Sequence, residues 1–66
     1  MNKITNISYN TAKWHLDWTY ENKGVYTIPG CYEYAIKLWT YLVEQTSLGK
    51  TRFILSDVHK LLERPE

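Results

Sequence analysis

From Thr11 to Glu21 apolar and polar residues alternate without a break. Ala12, Trp14, Leu16, Trp18 and Tyr20 stand between Thr11, Lys13, His15, Asp17, Thr19 and Glu21. A period of two predicts a half-buried β-strand, and the aromatic content points the same way. A helix here would bring Trp14 and Trp18 together but send Leu16 and Tyr20 to the other side. Asn22-Lys23-Gly24 then reads as a three-residue hairpin loop with Gly24 at positive φ. In that register Glu21 faces Val25, Tyr20 faces Tyr26 and Trp18 faces Ile28. The apolar face thus continues onto a second strand, which Pro29-Gly30 ends.

Cys31 to Ser47 carries a helical period instead. Cys31, Ala35, Ile36, Leu38, Trp39, Leu42, Val43 and Thr46 share one side, while Glu33, Lys37, Thr40 and Glu44 share the other. Glu33 and Lys37 form an i,i+4 pair in the favourable order, and Gly49 supplies a C-terminal stop. Thr51 to Leu55 reads as a short strand. Ser56 is a candidate cap for a last helix with Val58, Leu61 and Leu62 inward and Pro65 ending it. Ile4 to Tyr9 reads as a further edge strand. No repeat, low-complexity tract or linker divides the chain. The pattern predicts one small α+β domain over residues 1–66: a small antiparallel sheet, made of the β-hairpin plus a further strand, packed on one main α-helix, with a short C-terminal helix. Trp14, Trp18 and Tyr20 are then the sheet's share of the core and meet Trp39 from the helix.

Size changes this picture. A chain of 66 residues buries little surface, and chains this small usually rely on disulfides, a metal or a partner chain. Cys31 is the only cysteine, so neither an internal disulfide nor a C-x-x-C zinc pair can form. A lone thiol suits a reducing cytoplasm. Met1 to Asn10 is polar and lacks the profile of a signal peptide, and no apolar run approaches the ~20 residues of a membrane span. A formal charge of +1 matches neither a strongly basic nucleic-acid binder nor an acidic nucleic-acid mimic.

The candidate chemistry is sparse. Cys31 stands at a predicted helix start, where a thiol pKa can fall, yet no base is placed beside it. It reads as a small core residue. His15 and His59 stand alone, and no set of three or four ligands converges, so no metal or cofactor is expected. Gly49-Lys50-Thr51 has the tail of a phosphate loop, but Glu44 occupies the place of its first glycine and the segment leaves a helix for a strand. Aromatic platforms that stack bases need positive charge on the same face, and the face with Lys13 and His15 also carries Asp17 and Glu21. Lys50, Arg52, Lys60 and Arg64 make the last third mildly basic, diluted by Asp57, Glu63 and Glu66. Tyr34 and Tyr41 lie one helical repeat apart at a border of the apolar stripe, edged by Lys37 and Gln45. Tyrosine there can pack at a core rim or act as an interface hot spot.

In size and outline the chain resembles the small host-takeover proteins of bacteriophages, a likeness that rests on no motif and transfers no residue. The expected function is a non-enzymatic cytoplasmic module, of the kind encoded by phages or mobile elements, that docks on a larger protein and modulates or inhibits it. The expected contact residues are Tyr34, Lys37, Tyr41 and Gln45, with a second copy of the chain as another candidate partner. The rival expectation is a small nucleic-acid-binding regulator using Lys50, Arg52, Lys60 and Arg64. No membrane partner is expected.

Overall fold

The computed structural model describes residues 3–62. Its elements are β1 (Ile4–Asn6), α1 (Tyr9–Glu21), a 3₁₀ turn (Lys23–Val25), α2 (Cys31–Ser47), β2 (Arg52–Ile54) and α3 (Leu55–Leu61). The fold is α+β and mostly helical. The expected β-hairpin over Thr11 to Ile28 is absent, and the alternating stretch is α1.

Local chemistry starts and stops α1. Ser8 is extended, and its hydroxyl accepts from the Thr11 amide at 3.2 Å and donates to Thr11 Oγ1 at 2.9 Å. This satisfies one of the amides that a helix start leaves open. At the other end the Asn22 amide and the Asn22 side-chain nitrogen both donate to the Trp18 carbonyl, at 2.9 and 2.8 Å. The inward side is Ala12, His15, Leu16 and Thr19, a spacing of i, i+3, i+4, i+7. Two of these four are polar by type, so the hydropathy pattern conceals them. Thr19 can be buried because its hydroxyl donates to the His15 carbonyl at 2.7 Å, which leaves no polar group unsatisfied. Trp14 and Tyr20, expected in the core, are exposed, and Trp18 is half-buried.

The loop after α1 is also not a hairpin turn. Gly24 does not adopt positive φ. The Val25 amide donates to Asn22 at 3.0 Å and the Tyr26 amide to Lys23 at 3.1 Å, which closes the 3₁₀ turn. Gly30 takes φ +86° immediately before α2, where a side chain would be strained.

Helix α2 follows its expected bounds and face, with Glu33, Lys37, Thr40 and Glu44 exposed and Leu42 and Thr46 buried. It ends at Gly49 (φ +97°). The Gly49 amide donates to Thr46 at 3.0 Å and the Lys50 amide to Gln45 at 3.2 Å, a Schellman closure. His15 meets Trp39, while Trp18 leads through Tyr26 to Tyr32, so α1 and α2 run in opposite directions along one another.

The two short strands pair with each other rather than with a hairpin. Their antiparallel register sets Ile4 against Ile54, Thr5 against Phe53 and Asn6 against Arg52. The Ile7 amide extends the ladder to Thr51 O at 2.8 Å. Phe53 points inward and is buried. The α3 helix starts directly from β2 with Ile54 as its N-cap, so Ser56 lies inside the first turn rather than capping it. Val58 and Leu62 are buried, but Leu61, expected inward, is exposed. Pro65 lies outside the described residues. The core gathers Ile7, Ala12, Leu42, Phe53, Val58 and Leu62, with Leu38, Trp39 and Tyr41 among the side chains packed around it.

Candidate interaction surface

The face of α1 turned away from its buried side carries Trp14, Asp17 and Glu21, with the half-buried Trp18 on its flank. At 100° per residue these four fall on one strip. Together they line a hollow of about 280 Å³. Trp14 is 60 % exposed, a large value for the bulkiest side chain. On its other flank a second hollow of about 290 Å³ is lined by Asn10, Thr11 and Trp14 itself. Trp14 therefore borders both of these open depressions.

The Trp14 ring meets His15 edge-on, with centroids 5.0 Å apart and planes at 89°. His15 in turn stacks on Trp39 of α2, at 4.3 Å and 11°. Trp18 stands edge-on to Tyr26 at 6.5 Å, Tyr26 is edge-on to Tyr32 at 5.8 Å, and Lys23 Nζ lies 5.3 Å from the centre of the Tyr32 ring. Ring contacts of this geometry fix orientation at modest energy. Asp17 and Glu21 are exposed, and neither forms an ion pair or a side-chain hydrogen bond with another described residue.

The line from Tyr34 to Gln45 lies on the side of α2 that receives α3. The Tyr34 hydroxyl and His59 Nδ1 are hydrogen-bonded at 2.5 Å, and their rings are 5.7 Å apart. Lys37 Nζ donates to the Leu62 carbonyl at 3.0 Å. Tyr41, half-buried, joins Lys50, Arg52, Phe53, Asp57 and Leu61 around a hollow of about 220 Å³. Gln45 is half-buried, and its carbonyl receives the Leu48 and Lys50 amides that close α2. The structure thus ties Tyr34 and Lys37 to α3, Tyr41 to the β2–α3 hollow and Gln45 to the helix end.

Of the basic residues, Lys50 and Arg52 share that hollow with Asp57, and Lys50 Nζ sits 5.3 Å from the centre of the Phe53 ring. Lys60 is exposed on α3, away from the buried Val58 and Leu62. Arg64 lies outside the described residues. Cys31 is a half-buried free thiol at the first position of α2. Among the described residues no three His, Cys, Asp or Glu side chains converge as metal ligands, and no helix is long and apolar enough to cross a membrane.

The strip on α1 was hidden by the strand reading. The signals that could have shown it are Ser8 as an N-cap, Asn22 as a C-terminal closure, and the i, i+3, i+4, i+7 spacing of two indoles and two carboxylates. Fold and surface together define a small, mostly helical α+β protein with an aromatic and acidic helix face turned to solvent. No protein family's sequence profile matches the chain, and no curated protein or solved structure matches it.

Proposed function

We propose that the protein is a non-enzymatic binding module that docks on a larger protein and modulates it, and that the docking surface is centred on the outward face of α1. The observation that carries this reading is Trp14, 60 % exposed and directly opposite the buried side of its helix. An indole so placed contributes little to folding, yet tryptophan is the side chain most enriched among interface hot spots. Its ring already packs edge-on against His15, which stacks on Trp39, and a side chain held by such contacts has less freedom to lose on binding. Tyr34 and Lys37, by contrast, already have partners in His59 and the Leu62 carbonyl, so we leave them outside this surface.

The test is site-specific photo-cross-linking in a cell lysate. A cross-linking side chain in place of Asn10, beside Trp14, is expected to yield a discrete covalent adduct, and the same group in place of Thr40 on the polar face of α2 is not. Excess unlabelled protein should suppress the adduct, and excess Trp14→Ala should not. Equal adducts from both positions, or equal suppression by Trp14→Ala, would remove the reading.

A further inference from the structure

We infer that the hollow formed by Trp14, Trp18, Asp17 and Glu21 receives an arginine side chain of the partner protein. This rests on the docking role of α1 proposed above and names the chemistry it recognises. Two indoles one helical turn apart flank the hollow of about 280 Å³. The face of an indole attracts a cation brought within about 6 Å of the ring centre. Between and beside the two indoles stand two carboxylates without an ion-pair partner among the described residues. Lys13, one turn from Asp17 on the flank of the strip, forms no ion pair with it.

An apolar occupant fits this lining poorly. It would cover Asp17 and Glu21, strip their water and offer no hydrogen bond in return, which is costly for ionised groups. An anionic occupant would meet like charge. A cation resolves both problems, and arginine resolves them best. Its guanidinium plane stacks on an indole while its edge presents a fork of N–H donors to a carboxylate. A lysine ammonium is a point charge with no planar face and holds its water more firmly. Trp14, packed edge-on against His15, supplies one wall of the hollow before a partner arrives.

The experiment uses the full chain, labelled with ¹⁵N, and follows the indole N–H signals of Trp14 and Trp18. The probes are the peptides acetyl-Gly-Arg-Gly-amide, the same peptide with citrulline, which keeps the shape and removes the charge, and the same peptide with lysine. The arginine peptide is expected to move both indole signals saturably, with at least about fivefold tighter binding than the citrulline peptide. The double variant Asp17→Asn, Glu21→Gln, whose residues are both exposed, should bind the arginine peptide no better than citrulline. Equal binding of citrulline, equal or tighter binding of lysine, or absence of a saturable indole shift would overturn the assignment. The two proposals fail separately. If citrulline matches arginine while the Asn10 cross-link still depends on Trp14, docking stands and the arginine assignment falls. If arginine is selected while Trp14→Ala competes like the native chain, the hollow recognises guanidinium and the docking reading falls.

Discussion

Truncation of Trp14 and truncation of Leu42 separate the surface from the core, because both remove a large apolar side chain from a helix. A 66-residue protein at roughly 0.05–0.15 kcal/mol per residue has about 3–10 kcal/mol of stability to lose. Leu42 has no exposed surface and belongs to the central cluster. Leu42→Ala leaves a cavity and should cost about 3–5 kcal/mol, most or all of that stability. Trp14 covers only two-fifths of its surface, since it is 60 % exposed. An aromatic side chain buries ~150–250 Å² when fully enclosed, so this fraction is ~60–100 Å², worth at most ~1.5–2.5 kcal/mol at ~25 cal/mol per Å². An extended-chain reference overstates such burial, and alanine is the better helix former by about 0.5 kcal/mol. The net cost of Trp14→Ala is therefore about 1 kcal/mol. Urea unfolding followed by far-ultraviolet circular dichroism is the suitable assay, because the removed indole would itself distort a fluorescence signal. The slope of the transition should stay the same for Trp14→Ala and its midpoint should fall slightly. A loss for Trp14→Ala equal to that for Leu42→Ala would mean that the indole is a core residue, and the docking proposal would lose the observation that carries it.

Ser8→Ala removes the cap of α1 and should cost about 1 kcal/mol, or roughly 4–8 °C in melting temperature, and an unchanged melt would place the helix start elsewhere. Gly49→Ala should lose about 1–2 kcal/mol because φ there is +97°, despite the open space around the site. Gly24→Ala should be neutral or stabilising by up to about 1 kcal/mol, since Gly24 lacks positive φ and has nothing within 4 Å of an added Cβ. The reverse order of the two glycine variants, read by the same melts, would restore the hairpin. Tyr34→Phe takes the hydroxyl from His59 Nδ1 and should cost about 1 kcal/mol, with faster amide exchange in α3. Unchanged exchange at Val58 and His59 would show that this bond does not hold α3 to α2.

How legible each element was depends on what its inward positions are made of. The α2 stripe uses apolar or aromatic types at most of its buried and half-buried positions, and Glu33, Lys37 and Glu44 are exposed, so period and burial largely coincide. Gly49 added a stop with a backbone reason. The short β2 and α3 segments were legible because Phe53, Val58 and Leu62 are both apolar and buried. Leu61 was misplaced because a short helix has too few turns to show which of two neighbouring leucines points in. In α1 residue type and burial separate. Ala12 is small, His15 is held between Trp14 and Trp39, and Thr19 hides its hydroxyl on a backbone carbonyl, so the buried side does not look apolar. The conspicuous hydrophobes, Trp14 and Tyr20, face solvent and happen to fall at even spacing.

The same separation governs the candidate site. On a strand Trp14 and Trp18 would project from one face, and Asp17 and Glu21 from the other. Indole and carboxylate could not then line one hollow, and the aromatics would be read as core. A rotation of about 100° per residue brings positions 14, 17, 18 and 21 onto a single strip and gives it a mixed character that neither face of a strand could have. The arrangement also fixes which substitutions bear on it. A helix breaker anywhere between Trp14 and Glu21 should scatter the four side chains even if the rest of α1 survives. Charge-removing changes at Asp17 and Glu21 leave the helix intact and change only what the indoles can hold. The chemistry of the surface is thus a consequence of α1 being a helix, and the evenly spaced hydrophobes that disguised the helix include the residue that leads the surface.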